Sequence, residues 1–457
     1  MDNAYRTHLK NHRDTHLKEM KELLSIPSIS ALSANKPDIK RAAKWLVDAL
    51  QAAGLENVKM MPTEGNPIVY ADWLHADNDI TALVYGHYDV QPVDPLELWQ
   101  TPPFEPNIRD EKIYARGATD DKGQIFMHIK AVEALLKTEG KLPVNIKFCI
   151  EGEEEVGSPS LEPFVEQHKD LLAADVLVIS DTPMLEKGKP AICYGLRGLC
   201  AMQIDVKAAN GDLHSGIYGG GVANPLHALA AILTSMHDEK GRVAVEGFYD
   251  KVQPLTDEER QAFQDLHYDE EALKKALNVN ELYGEAGYSF LERTWCRPTL
   301  EINGMYGGFQ GEGIKTVLPS EAHAKLSCRL VADQDPKEIQ DIIEKHIQEH
   351  TPPGVKVNIT RMDTGRPFQT PYDHPFIQAA MRAYEKAYEA TPALTRMGGS
   401  IPIVEGFGRL LNVPVVLMGF GLPGENFHAP NEHFHLENFD KGLLTICEYL
   451  KELAQTK

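Results

Sequence analysis

The sequence predicts an α/β protein with a doubly wound, mostly parallel sheet and a smaller α+β domain inserted into it. Short apolar runs of strand length alternate with longer stretches of helical periodicity, which is the rhythm of βαβ units. At 457 residues the chain is also too long for one compact core. We therefore expect a larger domain at residues 1–194 and 366–457, and an insert at 195–365.

The larger domain is predicted to begin with a helix over 38–53, because its apolar residues recur at helical spacing and Gly54 is a suitable C-terminal stop. The apolar run 80–85 is predicted to be a buried strand. The same reasoning gives the remaining elements: a helix at 124–137, strands at 144–150 and 175–179, a helix at 374–390, a strand at 414–420 and a helix at 436–453.

The pattern of polarity changes near Gly195, where the insert begins. Residues 199–206 alternate like a half-buried strand. Together with the elements after it, this strand predicts a separate α+β domain. Those elements are a helix at 225–236, an exposed helical stretch at 250–286, a strand at 322–331, a helix at 336–350 and a strand at 355–361.

The composition describes an ordinary globular protein and disfavours two classes of function. Hydrophobic residues make up 42% of the chain and charged residues 25%. The formal net charge is -21 with no basic stripe, so nucleic-acid binding is disfavoured. No apolar run reaches the roughly 18 to 20 residues that span a bilayer, and the chain does not begin with an apolar signal core. We expect a cytoplasmic protein without a membrane partner, whose six scattered cysteines are buried and reduced.

His87 and Asp89 directly follow the predicted strand 80–85. Side chains two residues apart on an extended chain point to the same side, so both leave the strand end together. A metal-bound imidazole usually has its second nitrogen held by a carboxylate or a carbonyl. The pair can therefore supply a metal ligand and its support, although a surface hydrogen bond is the commoner use of such a pair.

Further acidic residues lie at the ends of neighbouring elements. Asp120 and Asp121 precede the predicted helix at 124, and Asp181 follows the strand at 175–179. Each aspartate has an alternative role as a helix cap or dipole complement. Four glutamates crowd into 151–155 after another strand, and a solvated loop is their alternative reading. Open α/β sheets, however, bind ligands at the carboxyl ends of their strands.

One late histidine is needed to complete a metal site, and three are available. His428, His433 and His435 lie between the predicted strand at 414–420 and the last helix, and their spacing does not choose among them. Oxygen and imidazole ligands without thiolate fit a hydrolytic Zn²⁺ or Mn²⁺ site. Because there are more carboxylates than one ion needs, we expect two ions that share a carboxylate and a water. A remaining glutamate would serve as general base on that water.

The motifs resemble, in their order, those of the co-catalytic dizinc metallopeptidases. That family includes carnosinase, the cytosolic non-specific dipeptidases, aminoacylase and succinyl-diaminopimelate desuccinylase. The similarity spans nearly the whole chain and is greatest to the carnosinase-like dipeptidase branch. It rests on Gly-His-Tyr-Asp-Val-Gln-Pro at 86–92, Gly-Ala-Thr-Asp-Asp-Lys-Gly at 117–123, Glu-Gly-Glu-Glu-Glu-Val-Gly-Ser at 151–158, Asp-Leu-His-Ser-Gly at 212–216, Gly-Gly-Ser-Ile-Pro at 398–402 and the loop around His428.

This resemblance implies a role for each of the metal ligands. His87 and Asp181 would hold one ion, Glu155 and His428 would hold the other, and Asp120 would bridge them. The peptide bond between Asp120 and Asp121 would be cis.

The resemblance also implies catalytic and substrate-binding residues. Asp89 would orient His87, and Glu154 would be the general base. Glu153 stands where relatives often have an apolar residue, so we fix the register on Val-Gly-Ser at 156–158. His214 would reach across a dimer interface to stabilise the oxyanion and contact the substrate, and Arg329 and Ser400 would bind the substrate carboxylate.

The implied activity is hydrolysis of dipeptides or short peptides with a free C-terminal carboxylate. The insert would form the lid and the homodimer interface, and each subunit would carry two divalent ions, Zn²⁺ in first place and Mn²⁺ in second. One alternative is an N-acyl amino acid deacylase or desuccinylase on the same scaffold. Another is a metal-binding homologue without catalysis, which the intact base and ligand set disfavour.

Overall fold

The computed structural model describes residues 4–399 and 402–456. Internal contacts divide the chain into two compact units. The first unit comprises the chain up to Tyr194, then Thr370–Thr395, then the chain from Ile403 onward. The second unit comprises Gly195–Gln369 and the segment that begins at Arg396.

These units depart from the predicted boundaries in two short segments, which the prediction assigned to the larger domain. Residues 366–369 lie in the second unit, and Phe368 and Gln369 pair there with Leu196 and Gly195 in an antiparallel ladder. The segment from Arg396 lies there because the Arg396 guanidinium forms an ion pair with Glu259. Neither segment has a periodic pattern that could have placed it from sequence.

The helices of the described residues are α1 (Ala4–Asn11), α2 (Arg13–Leu24), α3 (Lys36–Ala53), α4 (Lys122–Glu139), α5 (Leu161–Gln167), α6 (Lys169–Leu172), α7 (Ser215–Tyr218), α8 (Pro225–Ser235), α9 (Asp257–Asp265), α10 (Glu270–Leu277), α11 (Phe290–Cys296), α12 (Pro336–Glu349), α13 (Pro375–Tyr388), α14 (Pro402–Leu411) and α15 (Leu436–Leu453).

The strands are β1 (Glu56–Met61), β2 (Ile68–Trp73), β3 (Thr81–His87), β4 (Asn107–Arg109), β5 (Lys112–Tyr114), β6 (Asn145–Glu151), β7 (Val176–Ile179), β8 (Ala191–Leu196), β9 (Gly198–Lys207), β10 (Leu213–His214), β11 (Thr299–Gly307), β12 (Val317–Leu318), β13 (Glu321–Leu330), β14 (Lys356–Gly365), β15 (Phe368–Gln369), β16 (Ala393–Met397), β17 (Val415–Leu417) and β18 (His433–His435).

The main sheet of the first unit has the order β1-β2-β6-β3-β7-β17-β8. Its four central strands, β6, β3, β7 and β17, are parallel, and the flanking strands join them antiparallel. The α/β fold class is confirmed. The central strands are buried along nearly their whole length, which explains their continuous apolar runs.

Because the central strands are parallel, their carboxyl ends meet at one edge of the sheet. The last residue of β3 is His87, and it pairs in register with Glu151, the last residue of β6. Neighbouring β7 ends at Ile179, two residues before Asp181. The sheet alone therefore brings three of the sequence motifs together at this edge.

Helix α4 begins immediately after the Asp120–Asp121 pair and is buried along most of its length. Lys122, its first residue, is fully buried. The Lys122 ammonium donates a hydrogen bond to the carbonyl of Ile26 at 2.6 Å and another to Leu23 at 3.4 Å. The residues that end α2 are thereby tied to the start of α4.

The second unit contains a four-stranded antiparallel sheet in the order β11-β13-β9-β14. Strand β9 alternates as predicted, with Met202 and Ile204 among its buried residues. Helices α8 and α12 contribute to the same apolar core. The stretch at 250–286, predicted to be helical, is helical only in part: it contains α9, α10 and loops, and a left-handed Asn278 ends α10.

Two further features concern the whole described chain. Among the helices of residues 4–399 and 402–456, none is both long and apolar enough to cross a bilayer. All six cysteines are buried and free of disulfides.

Candidate metal centre and active site

The first group of metal-type ligands consists of His87, Asp120 and Asp181. Nε2 of His87 lies 3.1 Å from Oδ1 of Asp120 and 3.9 Å from Oδ2 of Asp181. The His87 side chain is fully buried at the end of β3. We call this group the first triad.

The second group consists of Asp120, Glu155 and His428. Nε2 of His428 lies 2.9 Å from Oδ2 of Asp120 and 3.2 Å from Oε2 of Glu155. Asp120 thus offers one carboxylate oxygen to each group, which is the arrangement that a bridging ligand requires. We call this group the second triad.

The residues present fit a pair of divalent cations. Burial raises the pKa of Asp181 well above its ordinary value, and the negative charges of Asp120 and Asp121 raise it further. Burial also acts to raise the pKa of Asp120, but hydrogen bonds from His428 and His87 outweigh it and hold that pKa below its ordinary value. Imidazole nitrogen and carboxylate oxygen are suitable ligands for Zn²⁺ and Mn²⁺. Two such ions would supply the positive charge that these buried carboxylates need.

His428 is the one late histidine that lies in a triad. His433 makes a 2.9 Å contact from Nδ1 to the carbonyl of Asn431, and His435 makes a 2.6 Å contact from Nδ1 to Glu425. Sequence spacing left this choice open, and the contacts of the three histidines favour His428.

Asp89 contacts both His87 and the glutamate run. Nδ1 of His87 lies 3.1 Å from the backbone carbonyl oxygen of Asp89 and 3.4 Å from its carboxylate. The Asp89 carboxylate accepts hydrogen bonds from the backbone N–H groups of Glu154 at 3.2 Å and Glu155 at 3.1 Å. The carbonyl therefore makes the closer contact with the imidazole, and the carboxylate fixes the segment that carries Glu154.

The register of the glutamate run follows from what each carboxylate touches. Glu153 accepts hydrogen bonds from the backbone N–H of Asn66 at 2.9 Å and of Ser160 at 3.3 Å, so its carboxylate serves the loop structure. Glu155 lies in the second triad, and Glu154 stands between them in a single 3₁₀ turn. Burial raises the pKa of Glu154, and the carboxylate of Glu155 raises it further. These contacts favour the predicted register, in which Glu154 is the general base and Glu155 the ligand, and the two roles stay predictions.

Two residues near the triads, Gln91 and Asp121, received no site role in the sequence analysis. Nε2 of Gln91 donates a 2.7 Å hydrogen bond to Oε2 of Glu155. Asp121 accepts a 3.2 Å hydrogen bond from the backbone N–H of His87 and forms no side-chain cap on α4. The available signal for Gln91 was its place in the 86–92 motif, four residues after His87 at the end of β3. The Asp120–Asp121 peptide bond is cis, as the resemblance implied.

Residues 83–452 match peptidase family M20/M25/M40. The chain belongs to this family. The fold class, the predicted family and the expectation of a hydrolase that acts on peptide bonds are confirmed by this membership.

Two relatives and one solved structure show where this M20 peptidase stands within the family. It is 33% identical to the human Beta-Ala-His dipeptidase over 97% of this chain and 91% of the relative. It is 32% identical to the Cys-Gly metallodipeptidase of Schizosaccharomyces pombe over 97% of this chain and 96% of the relative. A solved M20 family metallo-carboxypeptidase of Sulfolobus solfataricus is 34% identical with a TM-score of 0.79, covering 96% of this chain and 99% of that one. The predicted similarity to the carnosinase-like branch is confirmed.

Three further residues were predicted to contact the substrate, and two of them, His214 and Arg329, are among the described residues. His214 is exposed at the end of β10, and its Nδ1 accepts a hydrogen bond from the backbone N–H of Gly216. Arg329 lies on β13, where it lines a cavity of about 840 Å³ within the second unit together with Arg197 and Arg297. Ser400 lies outside the described residues. The roles of all three stay predictions.

Proposed function

We propose that this M20 peptidase hydrolyses dipeptides with a free C-terminal carboxylate at a two-ion centre formed by the two triads. The observation that carries the proposal is the position of Asp120, whose two carboxylate oxygens belong one to each triad. A single carboxylate shared in this way suits a pair of ions better than one ion or a salt bridge.

The proposed ligands are those of the two triads. His87 and Asp181 would hold one ion, Glu155 and His428 the other, and Asp120 both. We propose Zn²⁺ as the native metal and Mn²⁺ as the alternative, since imidazole and carboxylate ligands suit both ions. When bound, the two ions would lower the pKa of a water and polarise the substrate carbonyl.

The side chains around the centre would perform the remaining steps. Glu154 takes a proton from the attacking water and later returns it to the leaving amine. The Asp89 carboxylate holds Glu154 in place by accepting a hydrogen bond from the Glu154 backbone N–H. His214 of a second copy of the chain stabilises the oxyanion, and Arg329 and Ser400 bind the substrate carboxylate.

The second unit is proposed to be the lid and the homodimer interface. β11 is an edge strand of its sheet, and the exposed apolar side chains Met305, Tyr306, Phe309 and Ile314 lie on it or shortly after it. Light scattering after size-exclusion chromatography tests the dimer, and a monomeric mass contradicts it. We propose the cytosol as the compartment, where the six buried cysteines stay reduced. Cell fractionation tests this.

The general base is tested by replacing Glu154 with Gln. We expect turnover to fall by roughly 10²- to 10⁴-fold, because a glutamine cannot accept the proton. Bound metal, measured by mass spectrometry, should stay at the wild-type level. Glu166→Gln, which changes an exposed carboxylate on α5, is the matched control and should retain activity. Full activity in Glu154→Gln, or hydrolysis that survives complete chelation, contradicts the proposal.

The substrate class is tested by comparing peptides of different length. The similarity to a metallo-carboxypeptidase favours one second candidate, which is removal of the last residue from longer peptides. A panel of dipeptides, tripeptides and N-acyl amino acids separates the candidates by kcat/KM. A preference for tripeptides supports the carboxypeptidase, and a preference for N-acyl amino acids supports the deacylase.

A further inference from the structure

Two buried glutamates flank His428 on its own loop. We define the His428 loop as residues 418–432, between β17 and β18, and the Asp120 loop as residues 115–121, between β5 and α4. Glu425 lies three residues before His428 and Glu432 lies four residues after it, and both are fully buried. Neither belongs to a triad.

The Glu432 carboxylate is bound entirely by the Asp120 loop. One oxygen accepts hydrogen bonds from the Arg116 guanidinium at 2.8 Å and the backbone N–H of Gly117 at 3.0 Å. The other oxygen accepts from the backbone N–H groups of Thr119 at 3.1 Å and Asp120 at 3.2 Å. Four donors from five consecutive residues thus surround one carboxylate, and one of them is the backbone of the bridging ligand itself.

The Glu425 carboxylate connects the same two loops at a second point. One oxygen accepts hydrogen bonds from the Thr119 hydroxyl at 2.9 Å and the backbone N–H of Leu422 at 2.8 Å. The other accepts from the backbone N–H of His435 at 2.9 Å. Thr119 therefore gives its N–H to one glutamate and its hydroxyl to the other.

Burying two carboxylates is costly unless their hydrogen bonds are complete. Here the bonds join the loop of the bridging ligand to the loop of a terminal ligand, and they do so on both sides of His428. We propose that Glu432 is a positioning residue for Asp120, with Glu425 as its second support, and that the pair sets both metal positions together. This inference rests on the metal roles of the proposed function.

Loss of the support from Glu432 and loss of a terminal ligand should weaken different numbers of ions. Asp120 belongs to both triads, so loosening its loop weakens both ions at once. Loss of His428 removes a ligand from the second triad alone. The number of ions affected therefore distinguishes a support of the bridge from a ligand.

The experiment is equilibrium dialysis against free Zn²⁺ held by a chelator buffer, with bound zinc per chain measured by mass spectrometry. In the Glu432→Gln variant, the new amide N–H₂ group is a donor and faces the backbone N–H donors of the Asp120 loop, so it cannot accept their hydrogen bonds. We expect both equivalents of zinc to bind roughly 10- to 100-fold more weakly. Glu448→Gln is the matched control, because Glu448 is also buried and paired with an arginine, Arg6, outside the triads. It should bind zinc like the wild type.

If Glu432→Gln does not fold, two milder variants at Thr119 still test the inference. Thr119→Val removes the hydroxyl donor to Glu425 and should weaken both ions, and Thr119→Ser should restore them. Wild-type zinc affinity in Glu432→Gln and Thr119→Val, or loss of one equivalent only, overturns the inference. A wild-type protein that binds no zinc or Mn²⁺ at all instead overturns the proposed function.

Discussion

The two triads share Asp120 but are built in different ways. In the first, His87 ends a parallel strand and its side chain is 0% exposed. In the second, His428 lies in a loop with a left-handed backbone (φ 57°), and its side chain is 54% exposed. The ends of β3 and β7 place His87 and Asp181, which belong to the first triad alone, whereas hydrogen bonds between loops hold the loop that carries His428. We therefore expect the triads to respond differently to the same kind of change.

The largest effect should come from Asp120→Ala, which removes the ligand that both triads share. We expect both ions to be lost and kcat/KM to fall by at least roughly 10⁴-fold, since enzymes of this kind accelerate their reactions by 10⁶-fold or more. Metal analysis and peptide hydrolysis measure this. If one ion binds with wild-type affinity, the triads are independent of each other.

A second comparison replaces the two histidines one at a time. His87→Ala and His428→Ala should each lose one ion and most of the activity. In the presence of chelator, His87→Ala should also lower the free energy of unfolding by about 1–3 kcal/mol, because it empties a buried, hydrogen-bonded site. The same replacement at the half-exposed His428 should lower the free energy of unfolding by less than about 1 kcal/mol. Urea unfolding measures the stability of both variants. Equal losses would contradict the view that His87 is built into the sheet and His428 is held in a loop.

Asp89→Asn should have a smaller effect. Asparagine keeps the backbone carbonyl that contacts His87 but presents an N–H₂ group toward the backbone N–H groups of Glu154 and Glu155. We expect kcat to fall by roughly 10- to 100-fold with the first ion retained. A variant that loses the first ion instead shows that the carboxylate mainly supports His87.

Gln91→Ala should have the smallest effect of the four. It removes one hydrogen bond to Glu155 in the second triad, and that bond is worth about 1 kcal/mol. We expect the second ion to bind up to about tenfold more weakly. Zinc titration measures this, and weakening of the first ion would show that the triads are coupled beyond Asp120.

The same difference explains how much of the site could be predicted from sequence. His87, the glutamate run and Asp181 follow buried apolar strands, so the rule that ligands gather at carboxyl ends of parallel strands located them. His428 lies in a loop with no periodicity, and only the family resemblance separated it from His433 and His435.

Other features of the molecule could not be predicted from the sequence. Long-range hydrogen bonds, such as those that Asp89 accepts and the one that Gln91 donates, depend on how loops fold back, which local sequence does not encode. The short segments at 366–369 and from Arg396 lie in the second unit, where they make a strand ladder and an ion pair with residues distant in sequence. The α/β class, by contrast, followed directly from the alternation of apolar runs.

The buried ammonium of Lys122 has a consequence for shortened versions of this protein. Its hydrogen-bond acceptors, the carbonyls of Ile26 and Leu23, lie nearly a hundred residues earlier in the chain. Deleting the first two helices and the residues after them would leave the Lys122 ammonium buried without these acceptors, two residues from Asp120. An expression clone trimmed to residue 30 should therefore yield aggregated protein, whereas a tag added before α1 leaves these bonds untouched.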